Sequence, residues 1–369
     1  MSDRSRSPEK REHAETMAAP YDPSAFREGL LIADRYRLDR RLAVGGMGEV
    51  WEATSLVLDR KVAVKLVRRT FRSPALVERL LREARTAARL RHPAVVEIFD
   101  LGATADQDPF VVMELLRGSD AATLVEQTGP IAATQAVALL LPVLSGLAAA
   151  HAQGIVHRDL KPENIFLAEM DGGAIQPKIV DFGVARMMLP TTGAKLTSAG
   201  MLIGTPEFMA PEQVRCVEDV DGRADLWAFG VTLYHLIAGE LPFAGDDLPA
   251  LFSAILDAHV PFPTKARELD GQLWSILTDC LRRERDQRWQ RAQDLEAALG
   301  NWLVAHKIDE DVSGRVIRPR ARDSQSRTTE PEVASPSDGA QRAPSPAAVP
   351  GTPRGLDQAI FNNLKTKQK

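Results

Sequence analysis

The sequence predicts an α+β fold, with a smaller β-rich first part that carries one key helix and a larger, mainly α second part. Three observations lead there. Short apolar segments separated by turn-like pieces run from Tyr36 to Leu66, Ser73-Pro74 then opens one helix, and long helical runs take over beyond Met113. In the first part, Leu38, Leu42 and Val44, then Val50 and Ala53, then Val62, Val64 and Leu66 predict antiparallel strands, with Asp59-Arg60 as one of the turns. Ser73 is a good N-cap and Pro74 suits the first helical position, so the stretch to Leu90 is predicted as a helix. The helices expected in the second part are Ala132 to Ala152, Gly222 to Ala238, Leu273 to Leu281 and Ala292 to Ala305.

The flanks read differently. Residues 1–33 are charged and lack apolar periodicity, which predicts a disordered arm. Residues 306–369 are rich in Arg, Ser, Thr and Pro, and too poor in apolar surface to offset the entropy of ordering, so a disordered tail is expected there. No internal repeats are found.

Composition narrows the class of function. The 369 residues carry a formal net charge of −4, which gives no general reason to expect nucleic acid or an anionic membrane as partner. The two cysteines, Cys216 and Cys280, make no ligand or redox spacing, so a reducing, cytoplasmic setting without structural zinc is expected. The N-terminus is charged and does not lead into an apolar stretch, unlike a secretory signal. Ile131 to Ala152 has no charged residue and imitates a membrane span, but it is alanine-rich, contains Pro142 and runs directly into His157, Arg158 and Asp159. A core helix covered on all sides is the expected reading, with no membrane span.

Four groups of residues carry chemistry. Leu42-Ala43-Val44-Gly45-Gly46-Met47-Gly48-Glu49-Val50 is a glycine-rich turn between two predicted strands, where missing Cβ atoms let backbone N–H groups approach a polyphosphate. It lacks the Gly-Lys-Ser/Thr of Walker A and the following helix of a dinucleotide fold. Val62-Ala63-Val64-Lys65 follows on a strand. On the next helix Leu76, Leu80, Glu83, Ala87 and Leu90 share one face, so Glu83 interrupts an apolar stripe and needs a cation, for which Lys65 is the natural candidate.

The fourth and most specific group is His157-Arg158-Asp159-Leu160-Lys161-Pro162-Glu163-Asn164, followed by Ile165-Phe166-Leu167, the turn Asp171-Gly172-Gly173, and Lys178-Ile179-Val180-Asp181-Phe182-Gly183. Two apolar triplets flanking a turn predict a hairpin whose open end brings Asn164 and Asp181 together. An amide oxygen and a carboxylate beside a polyphosphate are hard ligands suited to Mg²⁺. Asp159 and Lys161 remain for an attacking hydroxyl and the developing phosphoryl charge.

With these motifs in view, residues from about Tyr36 to Leu303 resemble the eukaryotic-type protein kinases, the bacterial serine/threonine kinases most of all. The resemblance implies a bilobal domain over 36–305, with an N-lobe at 36–113, a hinge at 114–118 and a C-lobe at 119–305. It implies that Leu42, Ala43, Val44, Gly45, Gly46, Met47, Gly48, Glu49, Val50 and Ala63 cover ATP. Lys65 would hold its α and β phosphates and pair with Glu83, Met113 would be the gatekeeper, and Glu114 and Leu116 would bind adenine through their backbone. Asp159 is then the catalytic base, Lys161 steadies the γ-phosphate, Asn164 and Asp181 bind Mg²⁺, and Ala210-Pro211-Glu212 closes the activation segment.

The same resemblance bears on substrate and control. Lys161, and Thr205 ahead of Ala210-Pro211-Glu212, are where serine/threonine kinases have them; Thr205 is expected to bond Asp159 and Lys161. Glu212 and Arg288 are expected to form a buried ion pair, and Asp225 to prop the catalytic loop. Ala43 departs from the pattern, replacing the first loop glycine, and implies a modest effect on nucleotide affinity. Arg158 before Asp159 implies control by phosphorylation, with Thr197 as the best candidate for autophosphorylation. The expected partners are proteins offering serine or threonine, and phosphothreonine-binding (FHA-type) domains reading Thr328 and Thr329. A scaffold lacking activity would have lost Lys65, Asp159 or Asp181, and a small-molecule phosphotransferase would lack the Thr205 to Glu212 segment; this chain has all of them.

Overall fold

A computed structural model describes residues 26–45, 48–67, 85–181, 205–217, 219–257 and 259–318. They fall into two compact units, Met1–Leu81 with Phe99–Leu115, and Arg82–Ile98 with Leu116–Lys369.

The first unit is a six-stranded sheet. Its strands are β1 (Leu31–Ile32), β2 (Tyr36–Gly45), β3 (Gly48–Ser55), β4 (Arg60–Val67), β5 (Ile98–Ala103) and β6 (Pro109–Met113), in the order β1-β2-β3-β4-β6-β5. β3 alternates buried and half-buried residues, as a strand with one face on the core should. β4 lies between β3 and β6 and is buried continuously from Val62 to Val67. Leu38, Trp51, Ala53, Val64, Leu66, Phe110 and Val112 make the core, and Tyr36 meets Phe110 edge-on at 6.2 Å between ring centroids. Order starts earlier than the expected arm of 1–33 allows. Leu31 and Ile32 pair with Arg37 and Tyr36, and Phe26 and Leu30 pack on the core, because this short apolar run has a sheet edge to cover.

The second unit is built around α2. Its helices are α1 (Ala121–Thr128), α2 (Ala133–His151), α3 (Pro211–Val214), α4 (Arg223–Ala238), α5 (Leu248–Asp257), α6 (Gly271–Cys280) and α7 (Ala292–Ala305). A small sheet joins β7 (Gly118–Asp120), β8 (Ile165–Glu169) and β9 (Ile175–Ile179). α2 is the uncharged segment that imitates a span, and by length and composition it qualifies as one. Its side chains are used inside the protein: Val137, Leu140, Leu144 and Leu147 are fully buried in the main core with Leu233 and Leu299. Each such aliphatic side chain contributes about 1.5–3 kcal/mol of burial, which explains why the helix needs no charged face. α4 is likewise buried nearly all round and ends at Gly239 in the left-handed region at φ 74°. Asp120 caps α1 by accepting from Thr123 N at 2.8 Å, and Asp270 caps α6 from Leu273 N at 2.7 Å.

The expected disordered tail from 306 is corrected for residues 306–318. After α7 the chain turns back at Lys307 (φ 63°), and Ile308, Val312 and Ile317 join the main core. The few apolar residues here suffice because the groove between α2 and α7 receives them.

Candidate active site

In the first unit, β2 and β3 form the hairpin of the glycine-rich turn, with Gly45 paired to Gly48; Gly46 and Met47 lie outside the described residues. A Cβ on Gly48 would stand 1.9 Å from the Leu66 carbonyl oxygen, so only glycine fits between the strands. Ala43 pairs with Val50 just after a register shift in β2. Leu42 and Val44 are exposed, at 39% and 52%. Glu49 differs in being buried: the Trp51 indole donates to its carboxylate at 2.9 Å, with the Arg41 guanidinium 3.9 Å away. Lys65 stands on β4 between Val50 and Val111, and Ala63 pairs with Met113. All three of Ala63, Lys65 and Met113 are buried. Glu83 lies outside the described residues, and so do Phe182 to Gly204, including Thr197, and the tail threonines Thr328 and Thr329.

The second unit brings the predicted catalytic residues together. β8 and β9 pair Ile165 with Ile179, and Val180 N donates to Asn164 O at 2.9 Å, which sets Asn164 beside the peptide leading into Asp181. The Asn164 amide nitrogen donates to Asp159 O at 2.7 Å and to Asp159 Oδ2 at 3.2 Å. Its amide oxygen is thereby turned away from Asp159, available as a hard ligand. The Lys161 ammonium lies 3.6 Å from Asp159 Oδ2 and donates to Thr205 Oγ1 at 2.6 Å. So Asp159, Lys161, Asn164 and Thr205 meet within one small cluster.

Two residues of this cluster hold unusual backbone. Arg158 has φ 66° and Asp181 φ 61°, a region that side-chain-bearing residues avoid unless their surroundings fix them. For Arg158 the fixing groups are clear. Fully buried Asp225 accepts from Arg158 N at 2.7 Å and His157 N at 2.8 Å, while Gln213 donates to Arg158 O at 3.1 Å. His151 Nε2 meets the same Asp225 carboxylate at 2.8 Å. Burial pushes the Asp225 carboxyl up, but the His151 hydrogen bond and the nearby imidazoles outweigh it and leave it below the usual carboxylate range. His157 is itself buried, with Nε2 3.0 Å from Val180 O, so one side chain links this loop to the peptide before Asp181.

Below the cluster, Arg288 forks onto Glu212 with both N–O distances at 2.8 Å and both side chains buried. The kinase resemblance implies both this pair and the Asp225 prop. No sequence signal singles out Gln213, whose side-chain oxygen accepts from Ala210 N at 2.9 Å while its nitrogen donates to Arg158 O. A polar residue at the start of a short helix otherwise reads as a surface position.

The family model "Protein kinase domain" matches residues 36–299. The chain belongs to the protein kinase family. Its kinase domain is 37% identical over 279 residues to serine/threonine-protein kinase pkn2 of Myxococcus xanthus, covering 74% of this chain and 33% of that protein. To serine/threonine-protein kinase PknB of Mycolicibacterium smegmatis it is 36% identical over 273 residues, covering 73% and 43%. The chain thus spans less than half the length of these curated relatives. Among solved structures, the crystal structure of the Mycobacterium tuberculosis PknI kinase domain superposes with a TM-score of 0.58 at 26% identity, covering 75% of this chain and 99% of that one. The expected kinase fold, a β-sheet unit and a mainly helical unit, is what the chain has.

Proposed function

We propose that this chain is an ATP-dependent protein kinase that phosphorylates serine and threonine hydroxyls of proteins. The observation that carries the reading is the Lys161–Thr205 hydrogen bond of 2.6 Å beside Asp159. It sets a cation and a hydroxyl where a short aliphatic alcohol would present its oxygen to the Asp159 carboxylate.

In this reading the chain's residues divide the work. Asp159 accepts the hydroxyl proton as the alcohol oxygen bonds to the γ-phosphorus of ATP, and the bond from that phosphorus to the β-phosphate oxygen breaks to release ADP. Lys161 faces the developing charge on the phosphoryl oxygens. Lys65 holds the α and β phosphates with Glu83 as its partner, under Leu42, Ala43, Val44, Gly45, Gly46, Met47, Gly48 and Val50. Ala63, Met113 and the backbone of Glu114 and Leu116 receive the adenine. Glu49 belongs to the same covering loop, its buried carboxylate held by the Trp51 indole.

The donor set of Asn164 and Asp181 fits Mg²⁺, which retains water and takes phosphate oxygens alongside one or two protein oxygens. Among the described residues no cluster of three His, Cys, Asp or Glu side chains competes as a cage for another metal. When bound, Mg²⁺ would supply charge neutralisation on the phosphate oxygens. The reading further includes a cytoplasmic location, autophosphorylation at Thr197 as the activating event, and FHA-type partners.

The test is to incubate the purified chain with labelled ATP and Mg²⁺, offer a generic serine/threonine peptide, and map the phosphosites. Incorporation on Ser or Thr that is lost in Asp159→Asn and reduced in Thr197→Ala is the expected result. No incorporation by a folded sample overturns it in favour of a binding scaffold.

A further inference from the structure

Residues 308–318 lie beyond the part that matches the family, yet they are built into the second unit. Asp311 organises them. Its buried carboxylate accepts from Ser313 N at 2.9 Å, Ser313 Oγ at 2.6 Å and Arg315 N at 3.1 Å, and Arg315 Nε at 3.1 Å. The turn is closed by Ile317 N donating to Asp309 O at 2.7 Å, and it docks on α2 through Val312 N to Ala138 O at 3.2 Å. On α7, Ile317 leans over Gly300, where any Cβ would come within 3.0 Å of it.

The turn presents Arg315 to α2. Its guanidinium donates to Ser145 Oγ at 3.1 Å and to Glu296 Oε1 at 2.7 Å, which fixes the fork from a second side. Ser145 Oγ in turn lies 3.3 Å from His92 Nε2, and His92 Nδ1 accepts from Ala94 N at 3.1 Å. An accepting Nδ1 requires the neutral imidazole with its proton on Nε2, directed at Ser145. Burial and the Arg315 charge both hold His92 below its ordinary pKa, consistent with that form; Lys178 acts in the same sense and Glu296 opposes it.

From His92 the connection reaches Ile179 at the end of β9. Ala94 O accepts from Ile179 N at 2.8 Å, and Ile179 O accepts from Val96 N at 3.0 Å. Gly146, next to Ser145, makes the approach close: a Cβ there would stand 3.1 Å from Ala94 O. Ile179 is two residues from Asp181.

We propose that residues 308–318 are a latch of the second unit in which Arg315, through Ser145 and His92, positions the 92–96 loop and the end of β9 that leads into Asp181. Arg315 is a positioning residue and touches no substrate. The link to Mg²⁺ use rests on the kinase reading above; the link from Arg315 to Ile179 does not.

The experiment separates the two. In the full chain without nucleotide, hydrogen exchange is followed at the amides of Ala94, Val96 and Ile179 in the native protein and in Arg315→Gln. Loss of one supporting hydrogen bond should speed these amides by roughly three- to tenfold while those in the centre of α4 hold their rate. Ser145→Ala, which leaves the Asp311 turn intact, should reproduce the effect and serves if Arg315→Gln folds poorly. In the kinase assay, the Mg²⁺ concentration for half-maximal rate should rise in both variants with little change in the rate at saturation. Faster exchange confined to residues 308–318, or spread evenly through the unit, overturns the latch. If the native chain transfers no phosphate, the kinase reading falls and the exchange result still decides the latch.

Discussion

The Lys161 ammonium donates to Thr205 Oγ1 across 2.6 Å and sits 3.6 Å from Asp159. This three-residue contact joins the 157–164 loop to the segment that follows residue 204. Removing the cation in Lys161→Met should lower kcat by roughly a hundredfold, as loss of one preorganised charge at a transferring group does, with a much smaller change in KM for ATP. Thr205→Val, which keeps the shape and drops the hydroxyl, should cost about tenfold, and Thr205→Ser should recover most of it. Steady-state kinetics on one peptide check all three. Equal kcat in Thr205→Val and the native chain would remove the contact from the mechanism.

A second prediction concerns the support under Arg158. Asp225 accepts two backbone N–H groups and faces His151, so Asp225→Asn places an NH₂ among donors. The expected cost is about 1–3 kcal/mol of stability, with Arg158 released from its positive φ and activity reduced in parallel. The pH dependence follows in sign. The folded carboxyl is held below its unfolded value near 4, so the stability from this pair is fully present above that value. It is lost as pH falls through the lower, folded value. Urea unfolding from pH 7 down to pH 3 should show an acid decline that is shallower in Asp225→Asn.

Much of this was legible in the sequence, for reasons that differ by element. The β4 run Val62-Ala63-Val64 and the uncharged α2 are legible because burial on all sides leaves no polar periodicity. The hairpin that sets Asn164 beside the peptide leading into Asp181 is legible because two apolar triplets flank a Gly-rich turn. The 308–318 turn was not. Its Asp311 and Arg315 look like ordinary tail charges, and only the groove between α2 and α7, assembled from distant segments, gives Val312 and Ile317 somewhere to go. The burial of Glu49 was not legible either, because it rests on the Trp51 indole two residues along β3, which donates to its carboxylate at 2.9 Å.

The Glu212–Arg288 pair yields a third prediction. Both side chains are buried, so Arg288→Ala leaves a carboxylate without its fork and should destabilise the second unit by about 3–5 kcal/mol. Replacing both with apolar residues, Glu212→Leu with Arg288→Met, should regain only part of that. Arg288 also donates to Arg283 O at 2.8 Å and to Arg282 O at 2.5 Å, and it lies 5.0 Å from the Trp227 ring centroid. Those carbonyls would lose their donor in either variant. Chemical denaturation of the single and double variants measures the difference; full recovery in the double variant would mean the backbone contacts contribute nothing.

The last prediction lies in the first unit, at Tyr36. Its hydroxyl donates to Asp100 Oδ2 at 2.6 Å, and the Arg35 guanidinium reaches the same oxygen at 2.9 Å. Burial first, and then the Asp100 carboxylate, push the phenol up to about 12. Because the folded value lies above the unfolded value near 10, the stability from this contact is complete below pH 10 and disappears as pH rises through about 12. Tyr36→Phe should therefore cost about 0.5–1.5 kcal/mol at pH 7, with the ring still packed on Phe110, and less as the pH approaches the folded value. Urea unfolding of both proteins at pH 7 and pH 11 reads the convergence. A difference that stays constant across that interval would assign the loss to packing rather than to the hydroxyl.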